Sequence, residues 1–322
     1  YDPVSFNIFY WGIAKDNGTW VGEELTLEKV KESVDLLNDA FSPYKICFNL
    51  VGMDIIKNTS IHDETTLDAI TDYADDNGYV KSNAYNIYVP NSFCCYSGIT
   101  SYFSTTIGIR VGAVTLPTFI HEMGHTLNLR HTFGPGNDRP DPVNCERVTR
   151  NINAPEYNAD TMGDRVHDTN AVPNFQREQH NHMASAIEIA DIGYTWQYAR
   201  DSISLNPNGF HGYTNANDIE LALYYYSFTE EEVEYLKYNP AVNYAYYDEN
   251  THTYTPDIRV YDPGSAFFKD CAGTPYQITS TDIKNFMAYT RNESRQLFTV
   301  GQGIRMREAI DDKWNQVFSF VE

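Results

Sequence analysis

Apolar and polar positions change their period several times along the chain, and each change marks an element. "SFNIFYWGI" (5–13) is aromatic and β-branched and predicts a strand. In "TLEKVKESVDLLNDAF" (26–41), Val30, Val34, Leu37 and Phe41 recur at three- and four-residue steps. That spacing predicts an amphipathic helix, with Thr26 placed to cap it. "KICFNLVGMDII" (45–56) and "AYNIYVP" (84–90) predict two more strands, with a helix around 65–74 between them. A β-α-β-α-β order calls for a largely parallel sheet with helices packed on it. "SGITSYFSTTIGIRVGAV" (97–114) supplies one or two further strands, and "LPTFIHEMGHTLNL" predicts a helix that tolerates Pro117 in its first turn.

Beyond residue 131 the texture changes. Residues 134–180 are rich in Gly, Pro, Asn and Asp and predict long ordered loops, or loops tied by ions. Residues 181–260 mix short helical stretches such as "TEEEVEYLKY" (229–238) with tyrosine clusters, and no architecture follows from them. The chain closes on "TVGQGIRMREAIDDKW" (299–314), where Thr299 and Gln302 form a capping box that opens a terminal helix.

The totals narrow the function classes. A chain of 322 residues can bury a sizeable core as one domain or two, and no apolar run reaches the length of about 18 residues that a membrane-spanning helix needs. The formal charge of −21 argues against nucleic acid or an anionic membrane as partner, because a phosphate-binding face needs positive potential. The same charge suits calcium sites and plain solubility alike. Five cysteines form no CxxC, and Cys145 and Cys271 are a candidate bridge across the middle region. The first residue is Tyr1, compatible with removal of a leader or pro-segment, so location is not read from the N-terminus.

One stretch carries chemistry, "HEMGHTLNLRH" (121–131). His121 and His125 lie about 40° apart on a helix, so both imidazoles can hold one zinc ion, and Glu122 is placed to reach the water beside it. On a continuous helix His131 would lie about 240° from His125 and point away. Asn128 resolves this: asparagine tolerates the left-handed conformation that ends helices, and a chain leaving the helix there can swing His131 back. Three protein ligands and one position for water suit a catalytic zinc, whereas a structural zinc is closed by four.

At this point the sequence resembles the metzincin zinc peptidases, whose signature is H-E-x-x-H-x-x-(Gly/Asn)-x-x-H followed by a methionine-containing turn. "NFMAYT" (285–290) looks like that Met-turn, with Met287 as its methionine. The "HTF" from His131, "GDRVHDT" (163–169), "NFMAYT" and "FTVGQGIRMR" (298–307) look most like the pappalysin type, in its bacterial branch. The resemblance covers roughly residues 3–175 and 275–322 and leaves about 175–270 as a large insertion. It implies an α+β catalytic domain: a twisted, mostly parallel sheet with an antiparallel edge strand, an active-site helix, and a loop-rich C-terminal subdomain with the Met-turn and a terminal helix. The implied division is 1–131 and 132–322.

The resemblance also implies roles. His121, His125 and His131 would ligate zinc, Glu122 would be the general base, Met287 would floor the site, and Tyr289 would approach the metal or the reacting carbonyl. The activity implied is endopeptidase action on a protein or peptide, secreted, periplasmic or at the cell surface. A substrate would lie extended along the strand within 97–104. Two positions depart from the usual pattern: Asn128 stands for glycine, and Ala288 follows the methionine where an acidic residue is frequent. Calcium is the second candidate cation, with Asp138, Asp160, Asp164 and Asp168 as carboxylates; turn-forming aspartates are the equal alternative. His180 and His182 could bind a second metal, and His167 suits a hydrogen-bonded role. Two rival functions remain: a zinc exopeptidase with a glutamate as third ligand, and a zinc-containing binding protein acting through the tyrosine-rich insertion. His131 and the Met-turn count against the first, and an intact Glu122 against the second.

Overall fold

A computed structural model describes residues 1–134, 145–174, 245–248, 253–256, 270–274, 276–290, 292 and 294–313. The chain divides into two compact units, Tyr1–Arg130 with Gln296–Glu322, and His131–Arg295.

The first unit is built on a five-stranded sheet in the order β2-β1-β3-β5-β4, from β1 (Val4–Ala14), β2 (Ile46–Lys57), β3 (Tyr85–Val89), β4 (Gly98–Thr100) and β5 (Thr106–Ile109). β1 pairs in parallel with β2 and β3, and β3 with β5, while β4 runs antiparallel to β5 and forms one edge. The architecture is therefore mixed α+β with a mostly parallel sheet. Helix α1 (Leu27–Phe41) starts where expected, with Thr26 Oγ1 accepting from the Lys29 amide. Helix α2 (Leu67–Asn77) is capped by Thr66 and ended by Gly78, whose φ of 76° suits a residue without Cβ.

Period-two alternation along β1 gives the sheet two apolar faces. On one face, Tyr10 bonds to Ser33 of α1 through a 2.7 Å hydroxyl contact, and its ring meets Phe119 at 6.2 Å. On the other, Trp11 and Ile13 pack with Ile56, Ile70, Ala74, Tyr88 and Phe93. Burying a side chain of this size stabilises by roughly 1.5–3 kcal/mol, so these two clusters fix the sheet between its helices.

Helix α3 (Pro117–Thr126) carries the histidines. Helix α4 (Ser280–Lys284) precedes the Met287 segment, and α5 (Val300–Lys313) ends the described chain. The capping box expected for α5 is present: the Thr299 amide donates to Gln302 Oε1 at 2.9 Å, and the Gln302 amide to Thr299 Oγ1 at 3.2 Å. α5 belongs to the first unit, where Arg307 donates to the carbonyls of Asp2 and Lys45. Gly303 leaves room there for the Tyr44 ring, which an added Cβ would overlap.

In the second unit, the described residues 145–174 form no helix or strand, in keeping with the loop composition. Cys145 and Cys271 are joined by a disulfide spanning 126 positions. Asp270 beside it accepts from the amides of Val148, Ala272 and Thr274. A two-stranded antiparallel ribbon, β6 (Ala245–Asp248) and β7 (Thr253–Pro256), lies within the tyrosine-rich region. The helix expected over 229–238, and Asp138, His180 and His182, fall outside the described residues. Among the described residues no helix is long and apolar enough to cross a membrane.

Candidate metal centre

Helix α3 is anchored from beneath by Phe119, Ile120 and Met123, all buried. It ends abruptly because the chain adopts a left-handed residue two positions past Thr126. Asn128 has φ 67°; its amide bonds to the His125 carbonyl at 3.0 Å, and the Leu129 amide bonds back to Gly124 at 3.0 Å. This is a Schellman turn with asparagine in the place glycine usually takes and buried Leu129 as its apolar anchor.

The turn does two things for His125. It places the Leu129 carbonyl 2.8 Å from His125 Nδ1. A carbonyl can only accept, so Nδ1 carries the proton and the neutral ring presents its Nε2 lone pair. Burial lowers the His125 pKa, with the Leu129 hydrogen bond opposing it, so the uncharged ring is favoured. The turn also redirects the backbone so that His121, His125 and His131 offer ring nitrogens within 4.8 Å of one another. His125 Nε2 stands 3.0 Å from His121 Nε2, and the two rings meet edge to face.

The 3.0 Å separation of the His121 and His125 nitrogens is close to what a zinc ion requires. Zinc–nitrogen bonds of about 2.0–2.1 Å in a tetrahedron place neighbouring nitrogens about 3.3 Å apart. Three imidazoles, one with its tautomer set by a backbone carbonyl, are a donor set suited to such a metal. The triad is the one group of three or more His, Cys, Asp or Glu side chains among the described residues that converges closely enough to hold a metal.

Around the triad, Glu122 is buried on α3. Its neighbour is Gly98, the first residue of edge strand β4, where an added Cβ would lie 2.8 Å from Glu122 Cγ and 3.1 Å from Oε1. No sequence signal marked Gly98, since the contact joins two segments 24 positions apart. Tyr102, just beyond β4, sets its ring edge-on to His125 at 5.5 Å and carries Arg130 above it. Nothing in the sequence singles it out either, because its partners lie 23 and 28 positions further along the chain.

In the second unit, His131 stacks on Phe133 at 4.8 Å, with Tyr289 at 4.5 Å. Met287 is fully buried in a tight turn: its amide bonds to Asn285 Oδ1, the Ala288 amide bonds to the Asn285 carbonyl, and the Met287 carbonyl accepts from Thr132. Of the aspartates that are candidates for calcium, Asp160, Asp164 and Asp168 lie among the described residues. Asp164 is buried and accepts from Val166 and Thr169. Asp160 meets His167 at 2.6 Å and Tyr157 at 3.1 Å, while Asp168 is exposed.

No protein-family model matches the chain. Over 152 residues it is 28% identical to a protein named extracellular metalloprotease from Verticillium alfalfae and 27% identical to one of the same name from Colletotrichum graminicola. Each match takes in 41% of this chain, and the chain spans about half the length of these curated relatives. Among solved structures, metalloproteinase-II from Bacteroides fragilis is 13% identical with a TM-score of 0.30, over 40% of this chain and 44% of that one. A chaperone–substrate complex is 15% identical with a TM-score of 0.32, over 52% of this chain and 28% of the other. At those scores neither structure bears on the fold. Over part of its length, then, the chain is weakly similar to proteins named extracellular metalloproteases, and it brings together three histidines that could hold a metal.

Proposed function

We propose that the chain is a zinc-dependent endopeptidase of the metzincin group, pappalysin type, acting on peptides outside the cytoplasm. The observation that carries this reading is the convergence of His121, His125 and His131, with Glu122 on the same helical turn. The extracellular setting draws on the names of the curated relatives and on the Cys145–Cys271 disulfide, a bond favoured in oxidising compartments.

His121, His125 and His131 would hold the zinc, which when bound polarises a carbonyl and lowers the pKa of water towards about 7. Leu129 keeps His125 in the tautomer that offers Nε2. Glu122 accepts the proton of the attacking water and returns it to the departing amine, the work of a general base turned general acid. Gly98 lets that carboxylate lie against the backbone of β4. The Tyr289 hydroxyl donates to the oxyanion that develops on the scissile carbonyl. A peptide would extend beside β4, the edge strand, and add to the sheet through main-chain hydrogen bonds.

The test is digestion of casein by the native, the chelated and the Glu122→Gln protein, with metal content measured in each. Activity in the native protein alone, with zinc retained by Glu122→Gln, supports the assignment. Full activity in Glu122→Gln removes the general base, and inactivity of a zinc-loaded native protein favours a binding role.

A further inference from the structure

Cys94 and Cys95 are adjacent in sequence, both exposed, and their sulfurs stand 2.9 Å apart. The segment holding them is pinned on both sides. Phe93 is buried against the sheet, and Thr65 pairs with it in an isolated parallel bridge, its carbonyl accepting from the Cys94 amide at 3.1 Å. Tyr96 packs on Phe93 at 4.9 Å, and its hydroxyl accepts from the Leu67 amide. The thiols therefore sit on a turn that leads directly into β4, where Gly98 abuts Glu122.

The other cysteines cannot serve as partners. Cys145 and Cys271 are bonded to each other, and Cys47 lies on β2, at the opposite edge of the sheet from β4. A chain that carries one disulfide is made where thiol pairs are oxidised, and an exposed pair already at this separation meets that condition directly.

We propose that Cys94 and Cys95 form a vicinal disulfide that fixes the turn into edge strand β4 and opens under mild reductants. The oxidant is a low-molecular-weight disulfide. One thiolate attacks it and releases the first small thiol, then the neighbouring thiolate attacks the mixed disulfide and releases the second. Two protein thiols are oxidised and one small disulfide is reduced to two thiols. Adjacent α-carbons are about 3.8 Å apart, closer than the 4.4–6.8 Å that disulfides ordinarily span, so the ring is of the labile, exposed kind. Buried Cys145 marks the other bridge as the resistant one. The assignment does not depend on the peptidase reading.

The whole chain, purified in air, is denatured and labelled with N-ethylmaleimide, then digested and weighed. The expected result is labelling of Cys47 alone, with the 94–95 peptide about 2 Da lighter than its reduced form. Mild dithiothreitol is expected to add Cys94 and Cys95 to the labelled set while Cys145–Cys271 stays closed, and oxidised glutathione to reverse it. Amide exchange across 98–100 is expected to quicken on opening in the natural chain and to be insensitive to redox state in Cys94→Ser/Cys95→Ser. Labelling of both cysteines before and after oxidised glutathione overturns the proposal, as does glutathione or a second chain held at either sulfur. Equal exchange in the two redox states overturns the link to β4.

Discussion

Arg305 donates through Nε to the backbone carbonyl of Asn128, 2.8 Å away and 177 positions earlier in the chain. The terminal helix thus holds the turn that ends α3. That turn has two outputs, the carbonyl that orients His125 and the direction in which His131 leaves. A residue far from the histidines in sequence therefore supports the turn on which the geometry of the histidine triad depends.

This support is measurable. Replacing Arg305 with Met removes a charge-assisted hydrogen bond and is expected to destabilise the protein by about 1–2 kcal/mol. Asn128→Gly is expected to be nearly neutral, because glycine adopts the left-handed conformation freely, whereas Asn128→Val forces a β-branched residue to φ 67° at about 1–2 kcal/mol. Urea denaturation of the zinc-free forms reads the stability. Zinc titration of the same variants reads the geometry, with weaker binding expected for Asn128→Val.

Each histidine is expected to matter for metal retention. His121→Ala, His125→Ala and His131→Ala should each lower bound zinc from one equivalent when dialysed against a moderate chelator, measured by atomic emission. Removing the metal from the natural chain is expected to lower its melting temperature, since a ligand that binds only the folded state stabilises it. A His131→Ala protein that keeps full zinc would mean the metal sits elsewhere.

Gly98 offers a way to disturb Glu122 without touching it. A Cβ at this position would stand 2.8 Å from Glu122 Cγ and 2.9 Å from Ile109 Cδ1. Gly98→Val is expected to retain zinc while casein hydrolysis falls about 10²-fold or more, the scale of a displaced general base. An unchanged rate would separate the Glu122 position from the reaction.

The loop before the paired cysteines has its own pH dependence. Hydrogen bonds from Ser92, and then from Asn91, hold the Asp63 carboxyl below its ordinary value of 3.8. A folded-state pKa below the unfolded one gives a contribution present above the unfolded value and lost as pH falls through the lower one. Protection of the amides at 91–94, measured against their intrinsic exchange rates, should therefore fall below about pH 3.8 in the natural chain, and Asp63→Asn should lose that dependence.

How much was legible beforehand varied with the range of the interaction. The strands, the three principal helices of the sheet unit and the α5 capping box followed from local periodicity and capping chemistry. A strand's alternation and a helix's three- to four-residue spacing are written in consecutive residues. Asn128 belonged with these, because left-handed tolerance is a property of the side chain alone. The pairing of Cys145 with Cys271 could be raised from sequence only as a candidate, since connectivity depends on where two distant backbones pass each other.

By itself, then, the sequence determined where α3 must stop, which two imidazoles share a face, and that a third could return. Only the tertiary structure decided that Leu129 sets the tautomer of His125, that Arg305 braces the turn, that Gly98 makes room for Glu122, and that the two edge thiols face each other. Local order follows from propensities that act over a few residues, whereas these contacts join segments brought together by burial of the sheet's two faces, a non-directional force that no short stretch encodes.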